Sequence, residues 1–261
     1  MKIREILKKS SPDDEYLLRF VLKKSRAELL RDFGAEVRQA TLTKFRELKK
    51  KRADGIPMQY IVGAAWFYGL EFFVTKTVLI PRPETEILVE RALAAHAEIV
   101  IDIGTGSGAI AVSLAKNSRS KIIAADISES ALKIAHKNSR RHKTKIKFYK
   151  SNLLTTIPWP RTQSVLIAAN LPYLSNARMK SLTTEVRREP RLALYGGPDG
   201  LQLYKKLFAQ IRARKSPTQT VTVLAEIDPE QKKNLAALVG DEKISFFKDL
   251  SGAVRLAEII F

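Results

Sequence analysis

A short polar motif, Asn170-Leu171-Pro172-Tyr173, directly follows the apolar run at 164–169. Such a run predicts a buried parallel strand, and open α/β sheets bind ligands beyond the carboxyl ends of their strands. Pro172 stiffens the turn, so the Asn170 side-chain oxygen and the Leu171 carbonyl can both accept hydrogen bonds from one NH2 group. Tyr173 can pack against a flat amide or base. The motif therefore predicts a holder for a planar NH2-bearing substrate, with a plain strand-ending turn as the alternative.

A second candidate site is a glycine-rich turn between a predicted strand at 98–103 and a predicted helix at 109–116. Glycines let a ligand approach the backbone closely, but their alternation differs from the G-x-G-x-x-G of dinucleotide sites. This tight spacing, preceded by Asp102, favours a nucleoside without phosphate over a purely structural turn. The loop residues are Gly104, Thr105, Gly106, Ser107 and Gly108.

Two further strands add polar groups to this predicted nucleoside site. The strand at 122–125 ends in Asp126, whose carboxylate can accept hydrogen bonds from both ribose hydroxyls. The strand at 146–149 leads to Asn152 and Leu153, which would put one polar and one apolar side chain beside the adenine. A strand, loop, helix, strand and terminal acid within one βαβ unit is more specific than the glycine loop alone.

The composition excludes several classes of protein. The 261 residues are enough for one large α/β domain, or for one domain with a small appendage, and 45% of them are hydrophobic. No apolar run reaches the ~18 residues that a membrane helix needs, and the N-terminus lacks a signal-peptide core. Without cysteine there are no disulfides, thiolate nucleophiles or zinc–cysteine sites. The three histidines lack metal-ligand spacing, so we expect a cytoplasmic protein without a metal.

The net charge of +19 points to a polyanionic partner or an acidic protein surface. Residues 130–150 contain eight Lys or Arg and no acid, which makes this basic segment a candidate docking surface. Our hypothesis is that Lys143, Lys145 and Lys147 steer an acidic partner towards the protein. Such a surface also admits nucleic acid without requiring it, and general solubility is the alternative interpretation.

Three segments follow one another along the chain. Residues 1–55 are predicted to be a small helical domain for recognition or support. Residues 56–80 are predicted to be a β-hairpin linker, because the segment is aromatic and β-prone from 60–62 onward. Residues 81–261 alternate strands and helices. Their last two strands are joined by a short connection and must pair antiparallel. The predicted fold is therefore α/β, a Rossmann-like seven-stranded mixed sheet with a small N-terminal helical domain.

These features together resemble a class I S-adenosylmethionine-dependent methyltransferase that acts on an amide or amino nitrogen. Further stretches are similar to the HemK/PrmC family, the peptide chain release factor glutamine methyltransferases. The resemblance runs from about residue 55 to the end, and that family places its recognition domain in the preceding helices. The stretches are Pro57-Met58-Gln59-Tyr60-Ile61-Val62-Gly63, Phe67-Tyr68-Gly69-Leu70, Ile80-Pro81-Arg82-Pro83-Glu84-Thr85-Glu86, Glu189-Pro190-Arg191-Leu192-Ala193-Leu194 and Gly196-Gly197-Pro198-Asp199-Gly200-Leu201.

The resemblance implies a substrate and a cofactor. The substrate would be the glutamine of the Gly-Gly-Gln loop in class 1 peptide chain release factors, with its amide held by residues 170–173. S-adenosylmethionine would contact residues 104–108, Asp126, Asn152, Leu153 and Asn170. We expect the chain to act as a monomer, away from membranes.

Three positions depart from the family pattern. Leu171 replaces a usual proline, Asn152 a usual acid, and Leu153 a common aromatic residue. Leucine in the motif is also similar to ribosomal RNA adenine dimethyltransferases, so the alternative function is an N6-adenine methyltransferase of RNA or DNA. A catalytically silent RNA- or ribosome-binding relative and an NAD-dependent dehydrogenase are two weaker alternatives.

Overall fold

The computed structural model of the protein describes residues 1–8 and 10–261, which form two units. The first unit comprises Met1–Ala64 and Thr184–Arg188, and the second comprises Ala65–Thr183 and Glu189–Phe261. The division at 64/65 differs from the predicted segments, since nearly all of the predicted linker's hairpin lies in the second unit. In the part of the chain that the structure describes, no helix is long and apolar enough to cross a membrane.

Short capped helices build the first unit. Ser11 and Ser25 begin helices as N-caps, each with its hydroxyl accepting a hydrogen bond from the backbone three residues on. Residues 184–188 join this unit through the Arg52–Glu185 ion pair at 2.8 Å. The helices are α1 (Ile3–Leu7), α2 (Pro12–Leu22), α3 (Arg26–Arg31), α4 (Gln39–Ala53) and α5 (Met58–Val62).

Helix α5 corrects the prediction that residues 60–62 are part of a β-structure. Pro57 and Gly63 bound the helix, and Gly63 ends it in the left-handed conformation. Met58, Ile61 and Val62 pack against the core of the helical unit. Their spacing of three and four residues places them on one helical face, so tertiary packing outweighs the β propensity of this segment.

The second unit contains nearly all of the predicted hairpin, which is formed by β1 (Ala64–Phe67) and β2 (Leu70–Phe73). Its two turn residues, Tyr68 and Gly69, both have positive φ. A two-residue turn of this kind matches the twist of the strands on either side.

A seven-stranded mixed sheet follows, in the order β5-β4-β3-β6-β7-β9-β8. All pairs from β5 to β7 are parallel, and β9 pairs antiparallel with β7 and β8, which confirms the predicted class I methyltransferase fold. The strands are β3 (Ile99–Ile103), β4 (Lys121–Asp126), β5 (Ile146–Lys150), β6 (Ser164–Ala169), β7 (Thr220–Glu226), β8 (Lys243–Lys248) and β9 (Val254–Ile260). The helices are α6 (Glu86–Ala94), α7 (Ala109–Asn117), α8 (Glu129–Arg141), α9 (Asn176–Lys180), α10 (Gln202–Arg214) and α11 (Lys232–Val239).

Apolar residues cover both faces of the sheet. Residues of α6 and α7 pack on one face, against alternate strand residues such as Val100 and Leu166. Residues of α10 and α11 pack on the other face, against Ile101 and Ile167. Burial on both faces explains why the central strands are continuous apolar runs.

The register of the parallel strands positions the candidate site. Ile103 pairs with Ala125 on one side and Ala169 on the other, and Ala169 pairs with Ala225. Successive strands therefore end side by side, and the strand order reverses between β3 and β6, where such sheets bind ligands. The residues that follow these four positions are Gly104, Asp126, Asn170 and Glu226.

A fully buried amide, that of Asn138 on α8, ties this edge of the sheet to the hairpin. Its Nδ2 donates to the carbonyls of Phe73 at 2.9 Å and Ser107 at 2.8 Å, and its Oδ1 accepts from the Phe73 N–H at 2.8 Å. One side chain thus holds both the glycine-rich loop and the end of β2.

We predict that Asn138→Ala lowers the free energy of unfolding by roughly 2–4 kcal/mol, because it leaves buried backbone groups without partners. Urea denaturation measures this. The control Asn234→Ala, at an exposed position of α11, should change stability by less than about 0.5 kcal/mol. Equal effects of the two substitutions would contradict the role of Asn138.

Candidate functional site

A cavity of about 410 Å³ lies at the carboxyl edge of the sheet, within the second unit. Gly104 and Gly106 form one wall, and Asp126, Asn170 and Leu171 also line the cavity. Its volume is in the range of small-molecule sites, which is roughly 300–1,000 Å³. The other lining residues are Lys76, Thr77, Val78, Leu79, Ile103, Ile127, Ser128, Ser130, Ala131, Ser151, Asn152, Leu153, Pro172, Pro190, Leu192, Ala193 and Leu203.

Asp102 holds the glycine-rich loop from below. Its Oδ2 accepts from the Thr105 hydroxyl at 2.6 Å and from the Ala111 N–H at 3.1 Å. The side chain is inaccessible to solvent. Burial raises the pKa of Asp102 to about 7, although the hydrogen bonds from Thr105 and Ala111 oppose the rise. Asp102 therefore supports the loop rather than lining the cavity.

Asp126 reaches the cavity wall from the end of β4. Its Oδ2 accepts from the Gly106 N–H at 2.9 Å and its Oδ1 from the Ser128 N–H at 2.8 Å. Burial raises the pKa of Asp126, and these backbone hydrogen bonds oppose that rise. Each carboxylate oxygen can accept a second hydrogen bond, so the group can serve two hydroxyls of a ligand.

Asn152 and Leu153 line the cavity next to the end of β5. Asn152 is exposed and Leu153 is buried. Leu153 has a φ of 55°, in the left-handed region that residues other than glycine seldom adopt. One polar and one apolar side chain thus border this part of the cavity, and their contact with an adenine stays a prediction.

The Asn170 amide is oriented by a neighbouring helix. Its Nδ2 donates to the Thr85 hydroxyl at 3.0 Å, which turns Oδ1 away from Thr85. Leu171 and Pro172 also line the cavity, with the Leu171 side chain buried in the core. The motif therefore presents a polar side chain and a proline-containing turn to the cavity.

Tyr173, unlike the rest of the motif, is not among the residues that line this cavity. Its hydroxyl donates to Glu226 Oε1 at 3.1 Å. Burial raises the pKa of Tyr173, and the neighbouring Glu226 carboxyl adds to the rise. The hydroxyl thus ties the turn to the end of β7, and the packing of the ring against a substrate amide stays a prediction.

Gly200 and Gln231 hold the same turn. A Cβ on Gly200 would lie 2.0 Å from the Tyr173 carbonyl oxygen, so only glycine fits this close approach. The Gln231 amide nitrogen donates to that carbonyl at 2.8 Å and to the Asp199 carbonyl at 3.1 Å. The stretch that resembles the HemK/PrmC family at 196–201 thus has a structural role at the site.

The structure brings most of the predicted cofactor residues together, but not all of them. Thr105, Ser107 and Gly108 lie behind the wall, where Thr105 and Ser107 are buried and Gly108 begins α7. The predicted residues that line the cavity are Gly104, Gly106, Asp126, Asn152, Leu153, Asn170, Leu171 and Pro172.

Sequence reasoning missed three supporting residues. The sequence does not by itself place Thr85 or Glu226 beside the Asn170 motif. Each carries a signal, because Glu226 is the one acid in an apolar strand and Thr85 lies within a family-like stretch. Asn138 occupies an apolar-face position of α8, three residues after the buried Ala135.

Some side chains of the basic segment at 130–150 contact the hairpin, and others are exposed. Lys137 lies over the Phe73 ring at 3.2 Å, and Arg141 forms an ion pair with Glu71 on the hairpin. Lys143, Lys145 and Lys147 are exposed. Their role in steering a partner stays a prediction.

The residues that line the cavity suit the chemistry of S-adenosylmethionine. A Cβ on Gly104 would stand 3.2 Å from Leu171 Cδ2, so the missing side chain keeps the cavity open between the two loops. Asp126 offers a paired acceptor for a ribose, and Leu153 and Ile127 offer apolar surface for a base. In the part of the chain that the structure describes, no group of three or more His, Asp or Glu side chains is arranged to hold a metal.

Sequence similarity to known proteins identifies the family of this chain. Residues 6–63 match the PrmC N-terminal domain and residues 100–189 match a methyltransferase domain. A release factor glutamine methyltransferase of Dictyoglomus turgidum is 38% identical over 273 residues, covering 100% of this chain and 95% of the relative. The chain belongs to the release factor glutamine methyltransferase family. The Bacillus subtilis release factor glutamine methyltransferase is 37% identical over 207 residues, covering 76% of this chain and 72% of the relative.

Membership in the release factor glutamine methyltransferase family confirms the predicted class of enzyme and its methyl donor, S-adenosylmethionine. A crystal structure of a methyltransferase from Pyrococcus furiosus superposes with a TM-score of 0.55 at 18% identity, covering 85% of this chain and 98% of that chain. That similarity shows the shared fold.

The raised pKa of Asp102 predicts how stability depends on pH. The pKa of Asp102 in the folded protein, about 7, lies above its ordinary value of 3.8. The folded protein therefore keeps a proton that the unfolded chain releases, and this stabilisation, complete below about pH 4, is lost as the pH rises towards 7. Asp102→Asn should remove this loss, gaining roughly 2 kcal/mol relative to wild type between pH 5 and 7.

Urea denaturation at a series of pH values tests this prediction. The surface control Asp241→Asn should keep the wild-type pH dependence. Parallel curves for wild type and Asp102→Asn would show that Asp102 titrates at its ordinary pKa.

Proposed function

We propose that the protein transfers a methyl group from S-adenosylmethionine to the side-chain nitrogen of the glutamine in the Gly-Gly-Gln loop of class 1 peptide chain release factors. The observation that carries the proposal is the position of Asn170 and Leu171 at the wall of the cavity beside Gly104. No feature of the site favours the alternative of an adenine base over a glutamine amide.

Residues at the ends of β3, β4 and β5 would hold the cofactor. The backbone of the loop at 104–108 would contact the cofactor, and Asp126 would accept hydrogen bonds from the ribose hydroxyls. Asn152 and Leu153 would border the adenine. When bound, S-adenosylmethionine supplies an electrophilic methyl group on a sulfonium. No covalent enzyme nucleophile is needed for such a transfer.

The Asn170 motif compensates for the weak nucleophilicity of an amide nitrogen, whose lone pair is delocalised into the carbonyl. Asn170 Oδ1 and the Leu171 carbonyl accept the two NH2 hydrogens and hold the nitrogen in line with the methyl group. Both acceptors bind more strongly as positive charge develops on nitrogen, so they stabilise the transition state more than the ground state. The proton leaves to water after the transfer.

Partner recognition completes the proposal. The helical domain at 1–55 recognises the release factor, and the exposed lysines at 143–147 steer its acidic surface. We place the enzyme in the cytoplasm as a monomer, and nucleic acid is not required for the reaction.

We predict that Asp126→Ala weakens S-adenosylmethionine binding by roughly 1.5–3 kcal/mol, the usual contribution of hydrogen bonds to a charged group. Isothermal titration calorimetry measures the change, with the exposed Asp241→Ala as control. Unchanged affinity in Asp126→Ala would remove this carboxylate from the ribose site.

We predict that Asn170→Ala lowers turnover on an intact release factor roughly 100- to 1000-fold, as for the loss of one preorganised transition-state hydrogen bond. Asn234→Ala is the control. Mass spectrometry of the loop peptide identifies the methylated residue. Two results would favour the adenine methyltransferase instead. One is a transferred methyl group on ribosomal RNA, and the other is methylation that persists on a release factor whose loop glutamine is replaced by alanine.

A further inference from the structure

A buried polar network begins at the Asn170 amide and runs away from the cavity. Asn170 Nδ2 donates to Thr85 Oγ1 at 3.0 Å. Thr85 is 3% exposed and lies at the end of the short 3-10 helix Pro83–Thr85, immediately before α6. A hydroxyl buried at this depth has few partners available, so each of its hydrogen bonds has a definite direction.

Glu226 lies behind Thr85 in this network. The pairing of Ala169 with Ala225 places it beside Asn170, and it is 2% exposed. Its Oε1 accepts from the Tyr173 hydroxyl at 3.1 Å, while among the described residues its Oε2 has no partner with good hydrogen-bond geometry. Oε2 is therefore an acceptor towards which a neighbouring hydroxyl can turn.

Charged and polar neighbours act on this carboxyl from several elements. Burial raises the pKa of Glu226, whereas the nearby hydroxyls of Thr85 and Tyr173 and the charge of Arg255 on β9 lower it, and the charge of Glu84 raises it. Arg255 lies near enough to balance a negative charge on Glu226, and its Nε also binds Asp249 at 3.2 Å.

These contacts define a direction for the hydrogen bonds. The Thr85 hydroxyl has one hydrogen, and Glu226 Oε2 is the nearby acceptor without a partner towards which it can turn. The Thr85 oxygen is then left to accept, which selects the NH2 end of the Asn170 amide and turns Oδ1 away. An amide without this partner can exchange its oxygen and nitrogen by rotation and would then present NH2 to the NH2 of the substrate.

We propose that Thr85, supported by Glu226, is a positioning residue that fixes the Asn170 amide with its oxygen towards the substrate. The inference rests on the proposed function, because it assigns Thr85 and Glu226 an effect on the reaction only through Asn170. Neither side chain lines the cavity, so neither contacts cofactor or substrate there.

Thr85→Val tests the inference, because valine keeps the shape of threonine and removes the hydroxyl. We expect kcat to fall about 10-fold, as for loss of one hydrogen bond, while the affinity for S-adenosylmethionine stays the same. Thr85→Ser should restore most of the turnover. The matched control is Thr222→Val on β7, which should leave turnover unchanged. Full turnover in Thr85→Val would overturn the inference.

A double-mutant cycle separates positioning from a general structural effect. If Thr85 acts through Asn170, Thr85→Val together with Asn170→Ala should be no slower than Asn170→Ala alone. Multiplied losses in the double variant would show that Thr85 acts independently of Asn170 and would overturn the inference.

Glu226→Gln is a second test of the inference, which remains available if Thr85→Val does not fold. Glutamine keeps the shape but can also donate a hydrogen bond, so the direction of the network is lost and kcat should fall roughly three- to tenfold. Its matched control is Glu258→Gln on the adjacent strand, where the carboxylate pairs with Arg91. Full turnover in Glu226→Gln would contradict its supporting role.

The outcomes also separate this inference from the proposed function. A large loss in Asn170→Ala with full turnover in Thr85→Val leaves the function standing and overturns only the positioning role. Full turnover in Asn170→Ala overturns both.

Discussion

The shared register of the parallel strands is the constraint on which the site depends. Because Ile103, Ala125, Ala169 and Ala225 lie side by side, the four strands end together. Each strand then contributes one functional segment at the point where regular pairing stops. A shift of one residue in any strand would turn its terminal side chain to the other face of the sheet and separate the acceptors from the cofactor loop.

This arrangement places three acids in poorly solvated positions. Asp102, Asp126 and Glu226 all have a pKa raised by burial, and each receives hydrogen bonds from the chain that oppose the rise. Buried carboxyl groups reduce stability unless they are satisfied in this way. The site is therefore a polar network held within an apolar sheet core, and its backbone donors are as necessary as its carboxyl groups.

The strands and the antiparallel pair at the edge of the sheet could be predicted from the sequence. A continuous apolar run is typical of a strand that is buried on both faces of a parallel sheet. The 164–169 strand and the antiparallel pair at the edge are examples. Helix α5 could not be predicted from β propensity, since its conformation depends on packing against distant helices. The association of 184–188 with the first unit also depends on contacts distant in sequence, among them Arg52 with Glu185.

The sequence predicted the site residues that have a suitable chemistry and also directly follow a predicted strand or end it, as Gly104, Asp126 and Asn170 do. It was not predictable where a residue acts through another. Thr85 is 85 positions from Asn170 in sequence, and only the fold brings its hydroxyl to the amide. Tyr173 shows the converse, since a residue adjacent to the site in sequence turns its hydroxyl away to Glu226.

A crystal structure with S-adenosylhomocysteine and a glutamine peptide of the release factor loop tests the central claim most directly. The account predicts that the glutamine side-chain nitrogen lies about 3 Å from both Asn170 Oδ1 and the Leu171 carbonyl oxygen, in line with the sulfur. A glutamine amide held by other residues, or a cofactor outside the cavity between Gly104 and Asn170, would contradict it.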